Sequence, residues 1–110
     1  MDGNDKTAAL ADARVVDEAS VFLDDVFAEF LRARQKFPQP NPTVAALTEE
    51  VGELARAVLS RPIEEVRAEA VQVAAMALRI AVEGDPTLDP FREAQGGELI
   101  PSAAILDRPL

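Results

Sequence analysis

The stretch TVAALTEEVGELARAVL, Thr43 to Leu59, gathers three glutamates, Glu49, Glu50 and Glu53, among Ala, Val and Leu. Further on, AEAVQVAAMALRIAV carries Glu69 and Gln72 at the same i, i+3 spacing as Glu50 and Glu53. Carboxylate and amide oxygens so arranged are hard donors, suited to Mg²⁺ or Mn²⁺ rather than to softer metals. Taken alone, EExxE also reads as a solvated helix face. The second stretch is harder to read that way, because from Ala70 to Val82, just after Glu69, it is apolar nearly all round and interrupted only by Gln72 and Arg79. A carboxylate buried without a partner is costly, so Glu69 requires compensation. Two devices supply it. A basic side chain, Arg56, Arg67 or Arg79, could pair with it, or a divalent cation could be shared by Glu50, Glu53, Glu69 and Gln72.

The remaining composition excludes most other chemistry. The 110 residues contain no His, Cys, Tyr or Trp. Neither a Ser-His-Asp nor a Cys-His nucleophile can be assembled, and a zinc site of the usual nitrogen and sulfur type is equally ruled out. A net charge of −9 argues against a nucleic-acid partner, whose phosphates require neutralising. No apolar run is long enough to span a membrane. The first residues, MDGNDKTAALADARVVDEA, carry acids where a secretion signal needs basic residues and an apolar stretch. A cytoplasmic protein is expected.

The elements that must position these residues are helical. An apolar pattern through Val15, Phe22, Val26, Phe30 and Leu31 predicts a first helix from about Val15 to Phe37. KFPQPNPT then places three prolines in five residues and ends it. A second helix is expected from Pro42 to Ser60, with Asn41 as its cap. Its Val44, Leu47, Val51, Leu54 and Val58 form a stripe about 80° wide, with Glu50 beside it and Glu53 about 60° further round. SRP makes a short turn with Ser60 as a cap, so the third helix is an antiparallel neighbour. It runs to Glu83 and stops at Gly84. TLDPFREAQGG reads as a short fourth helix capped by Asp89, with Pro90 at its first position and Gly96 and Gly97 closing it. The expectation is an all-α fold, a small four-helix bundle. Residues 1–13 form a flexible N-terminus, 14–96 the helical domain and 97–110 an extended apolar tail that docks on another surface.

EEVGEL followed sixteen residues later by EAVQ resembles the signature of the MazG-like all-α nucleoside triphosphate pyrophosphohydrolases, EExxE then ExxD. KFPQPNPTVAALTEEVGELA is also similar to the approach segment of the related dCTP-hydrolysing branch, with Phe37, Asn41, Ala46 and Leu47 in comparable places. The resemblance covers about residues 15 to 85. It implies Mg²⁺ (or Mn²⁺) held by Glu50, Glu53, Glu69 and Gln72. Catalysis falls to Glu50 and to Glu49, the latter as a further ligand or as the group that orients or deprotonates water. A nucleoside triphosphate is the implied substrate, cleaved to the monophosphate and pyrophosphate. Arg34, Lys36 and Arg79 are candidates for phosphate contact, with Phe37 and Asn41 for the base. The family assembles as dimers or dimers of dimers, so a homodimer or tetramer is implied.

One position departs from the pattern. Gln72 stands where the family has Asp, and an amide ligates Mg²⁺ without bringing charge. Two functions therefore remain open on sequence. The chain is a pyrophosphohydrolase with a modified site, or it is a non-catalytic relative that binds nucleotides or serves as an oligomeric interaction module.

Overall fold

The computed structural model describes residues 3–39 and 42–99. These form α1 (Gly3–Lys36), α2 (Val44–Ser60), α3 (Ile63–Glu83), a 3₁₀ turn over Pro86–Leu88, and α4 (Asp89–Ala94). The fold is all-helical, with no strand among the described residues. α3 is the central element and packs against α2 on one side and α1 on the other.

α1 starts well before the expected Val15. Ala8, Ala9, Ala11 and Ala13 favour a helix, no residue between Gly3 and Phe37 breaks it, and Arg14 pairs with Glu18 one turn on at 3.3 Å. The polar composition that suggested a frayed end marks instead a solvated helix. The C-terminal half of α1 does the packing: Val26 and Phe30 are buried, and Phe27 stacks on Phe30 with ring centroids 6.0 Å apart.

α2 begins at Val44, two residues later than expected. Thr43 holds extended backbone, and its hydroxyl accepts the Ala46 N–H at 3.1 Å. Asn41, the expected cap, lies outside the described residues. A second cap comes from a distant loop. Asp85 accepts the Val44 N–H at 2.9 Å with one carboxylate oxygen and the Thr87 N–H at 3.1 Å with the other. Burial pushes this carboxyl up, but the hydrogen bonds from Thr87 and Val44 outweigh it and hold it below the usual aspartate range. One residue thus fastens the start of α2 to the turn after α3.

The other junctions are simpler. Ser60 does not cap α3; its hydroxyl donates back to the Arg56 carbonyl at 3.1 Å, and Pro62 occupies the cap position without a side-chain bond. Gly84 ends α3 as expected, at φ 78°, where a side chain would be strained. Asp89 is the first helical residue of α4 rather than its cap, because the 3₁₀ turn leads directly into it.

The inner face of α2 is rotated from the expected stripe. Leu47, Glu50 and Leu54 are half-buried and Ala57 is buried, whereas Val44, Val51 and Val58 are exposed. Glu50 therefore stands in the buried row itself. Val51 and Val58 form a second apolar row facing away from α3.

Candidate functional site

Glu50 and Glu69 meet across the α2–α3 interface, as the antiparallel pairing requires. Their carboxyl groups face each other closely enough for Glu69 to act on Glu50. Burial, then the charge of Glu69 and a hydrogen bond to it, raise the Glu50 pKa above its ordinary value, with Glu53 and Glu49 adding to the repulsion.

The other expected members of the cluster lie around this pair without joining it. Glu49 is exposed. Glu53 accepts from Arg56 at 2.5 Å, a half-exposed i, i+3 pair. Gln72, one turn beyond Glu69 on α3, lies beside Glu29 of α1 instead. The donors present are hard oxygens, which fits Mg²⁺ or Mn²⁺ in kind. Among the described residues, however, no three acids form a ready-made metal-holding group. On the side of Glu69 away from Gln72, Glu53, Arg56, Ala57, Arg61, Glu65 and Glu69 line a small polar cleft of about 110 Å³.

A larger cleft, about 200 Å³, opens between α1 and α3. Ala75 and Arg79 form its buried floor, Ala33 and Met76 its flanks, and Arg32, Lys36 and Phe37 its exposed rim. Lys36 sits over the Phe37 ring, 5.4 Å from its centroid. Glu29 is held by Arg32, whose Nε donates at 2.9 Å and whose second nitrogen approaches at 2.5 Å. The Arg32 hydrogen bond, followed by the one from Gln72, outweighs burial and keeps the Glu29 carboxyl below its usual range. Sequence reasoning passed over Glu29. The available signal was its place between Val26, Phe30 and Ala33 on the packed face of α1.

Two expected phosphate contacts are engaged elsewhere. Arg79 is only 2% exposed. Its guanidinium donates to the carbonyls of Ala33 at 3.2 Å, of Gln39 at 2.5 Å and of Phe37, and to the Glu83 carboxylate at 2.8 Å. It thereby completes the end of α1 and pins the start of the proline loop. Arg34 lies 2.6 Å from the other Glu83 oxygen. Glu83, fully buried, sits between two arginines. Lys36 and Phe37 remain at the rim of the cleft.

Comparison with known proteins returned nothing to set beside this geometry: no family model, curated protein or solved structure matches the chain.

Proposed function

We propose that this chain is a MazG-like, Mg²⁺- or Mn²⁺-dependent nucleoside triphosphate pyrophosphohydrolase, active in the cytoplasm as a homodimer or tetramer. The observation that carries the reading is the Glu50–Glu69 pair. Two carboxyls face each other across a packed helix interface, neither in an ion pair among the described residues, at the positions the EExxE and ExxD halves would occupy. Such an arrangement costs stability unless a cation occupies it.

In this reading Glu50, Glu53 and Glu69 would hold the metal, which when bound supplies charge for the triphosphate and acidifies water. Glu53 leaves Arg56 to do so, a small rearrangement because that pair is half-exposed. Glu49 projects beside Glu50 and orients or deprotonates the attacking water. Lys36 offers positive charge at the rim of the larger cleft. Arg79 and Arg34 hold the loop that carries Phe37. The deciding experiment is a panel of ribo- and deoxyribonucleoside triphosphates incubated with Mg²⁺ or Mn²⁺. Monophosphate and pyrophosphate in equal amounts are expected. Orthophosphate as the product, or no turnover with either metal, would overturn the proposal.

A second reading, a non-catalytic nucleotide-binding relative, is favoured by one observation: Gln72 lies beside Glu29 of α1 rather than with the acid pair. Binding without turnover in the same panel identifies it.

The assembly rests on uncovered apolar surface. Val16, Leu23 and Phe27 on α1 and Val51 and Val58 on α2 are 47–65% exposed. The radius of gyration, 18.0 Å, exceeds the roughly 13 Å of a compact domain of this length. A second copy laid along α1 would cover the first row, and a copy laid on α2 the second. Sedimentation equilibrium should show dimer or tetramer at micromolar concentration; a clean monomer would refute the assembly.

A further inference from the structure

We propose that the α1–α3 cleft binds a small organic monocarboxylate, with its apolar body seated in the cleft and its carboxylate at Lys36. The site lies on the α1 side of α3, opposite the acid pair that faces α2. It goes beyond the nucleotide reading and stands whether or not that pair takes a metal.

Charge selects the ligand first. The chain carries −9 overall. Around this cleft, among the described residues, four cations (Arg32, Arg34, Lys36 and Arg79) nevertheless meet two carboxylates, Glu29 and Glu83. Arg32 is spent on Glu29, to which its Nε donates at 2.9 Å. Arg34 and Arg79 share the one charge of Glu83, at 2.6 and 2.8 Å. A positive charge is therefore in excess beneath the cleft, where Arg79 is only 2% exposed. Lys36 adds another at the rim, standing over the Phe37 ring with no ion pair among the described residues. Charge drawn out of water calls for a counter-charge, and an anion in the cleft supplies it.

The end of α1 does not oppose this. The last carbonyls of a helix ordinarily repel an anion. Here Arg79 takes the carbonyls of Ala33, Phe37 and Gln39, so the helix ends against a guanidinium rather than on bare oxygens.

Size and lining set the rest. At about 200 Å³ the cleft is smaller than the roughly 300–1,000 Å³ of pockets that enclose a drug-sized ligand. One ring or a short branched chain fills it. Ala33, Ala75 and Met76 line it, and Phe37, 43% exposed, offers an aromatic surface at the mouth. Both excess charges attract, but only Lys36 has donors to give, because Arg79 has committed its own to Glu83 and the carbonyls. A carboxylate needs few donors, and the open rim leaves its second oxygen to water. A phosphate has three oxygens that ask for several strong donors at once, which this rim does not provide.

The test is an amide chemical-shift titration of the full chain in EDTA, at neutral pH and low ionic strength. The probes are benzoate, its neutral isostere benzamide, and phenyl phosphate. Benzoate should shift the amides of Ala33, Phe37 and Met76, with Kd about tenfold below that of benzamide, as expected for a hydrogen bond between charged groups. Phenyl phosphate should bind no more tightly than benzoate. Lys36 is exposed, so its variants should fold. Lys36→Gln should bring benzoate to within about twofold of benzamide, and Lys36→Arg should keep most of the difference. Equal Kd for benzoate and benzamide, shifts confined to residues outside the cleft, an advantage undiminished in Lys36→Gln, or tighter binding of phenyl phosphate would overturn the proposal. Triphosphate hydrolysis is a separate readout: a chain that prefers benzoate but cleaves no triphosphate upholds the carboxylate site and sinks the pyrophosphohydrolase.

Discussion

Two glutamates on α3 show opposite solutions to one problem. Glu83, near its end, is fully buried and held between Arg79 and Arg34. Glu69, near its start, is half-buried and faces another carboxyl, that of Glu50. The first carboxylate has its charge balanced within the fold. The second has no ion pair among the described residues: the arginines that share its cleft, Arg56 and Arg61, pair with Glu53 and Glu65, so a cation from outside the chain can add the balance. Burial of an acid is therefore no guide to function by itself. What distinguishes a structural acid from a site is whether the fold already contains its counter-charge.

The largest test of this contrast is to remove Glu83. Glu83→Ala leaves two arginine charges, one of them fully buried, without their partner. A loss of about 3–5 kcal/mol is expected from denaturant unfolding, a large part of the roughly 5–15 kcal/mol that holds a domain together. A loss below about 1 kcal/mol would mean the pair is solvated in solution, and Arg79 would return as a phosphate contact.

The next effect belongs to the other end. Mn²⁺ at a hundred times its Kd should stabilise the chain by about 2.7 kcal/mol, since the cation binds the folded state. In a domain of this size that raises Tm by roughly ten degrees. Glu53→Gln should lose most of the gain. Identical melting of the wild type in EDTA and in Mn²⁺ would remove the metal from the comparison.

How these features show in the sequence follows from how local each one is. The helices were legible because apolar period, prolines and Gly84 are short-range signals. So was the approach of Glu50 to Glu69, which follows from two i, i+3 pairs and a short turn. The rotation of α2 was not, because Val51 and Val58 match the helical period as well as Leu47 and Leu54 do, and only packing against α3 separates the rows. Arg79 was legible as a cation on an apolar helix, but its partners, besides Glu83, are backbone carbonyls at the end of α1 and in the loop after it, some forty residues earlier. Asp85 is the clearest case. Nothing in GDPT marks it as the cap of a helix that begins at Val44.

Asp85 yields the third prediction, of intermediate size. Asp85→Ala leaves the Val44 N–H without its acceptor and unties α2 from the turn after α3. About 1–2 kcal/mol should be lost, as for other helix caps. Its carboxyl is held below the usual range, so this contribution is present above the ordinary aspartate pKa and fades as pH falls through the lowered one. The wild type and Asp85→Ala should converge in acid; a gap that persists at the lowest pH would assign the loss to packing.

The smallest effect has the opposite sign and separates the two acids of α3 most sharply. The Glu50 pKa is raised, first by burial and then by Glu69. Between the ordinary value of 4.5 and the raised one, the folded chain binds more protons than the unfolded chain. Stability must then fall as pH rises through that window. Below it both states are protonated, and Glu50→Gln, an isostere of the neutral acid, should match the wild type in EDTA. Above it the wild type carries the full penalty, and Glu50→Gln should melt higher. The same substitution should cancel the Mn²⁺ gain, so the order of the two proteins reverses when the metal is added at neutral pH. Glu83→Gln offers no such crossing, because its counter-charges belong to the fold and no added ion replaces them. If Glu50→Gln is less stable than the wild type in EDTA at neutral pH, Glu50 has a counter-charge in solution, and the two ends of α3 are the same kind of place.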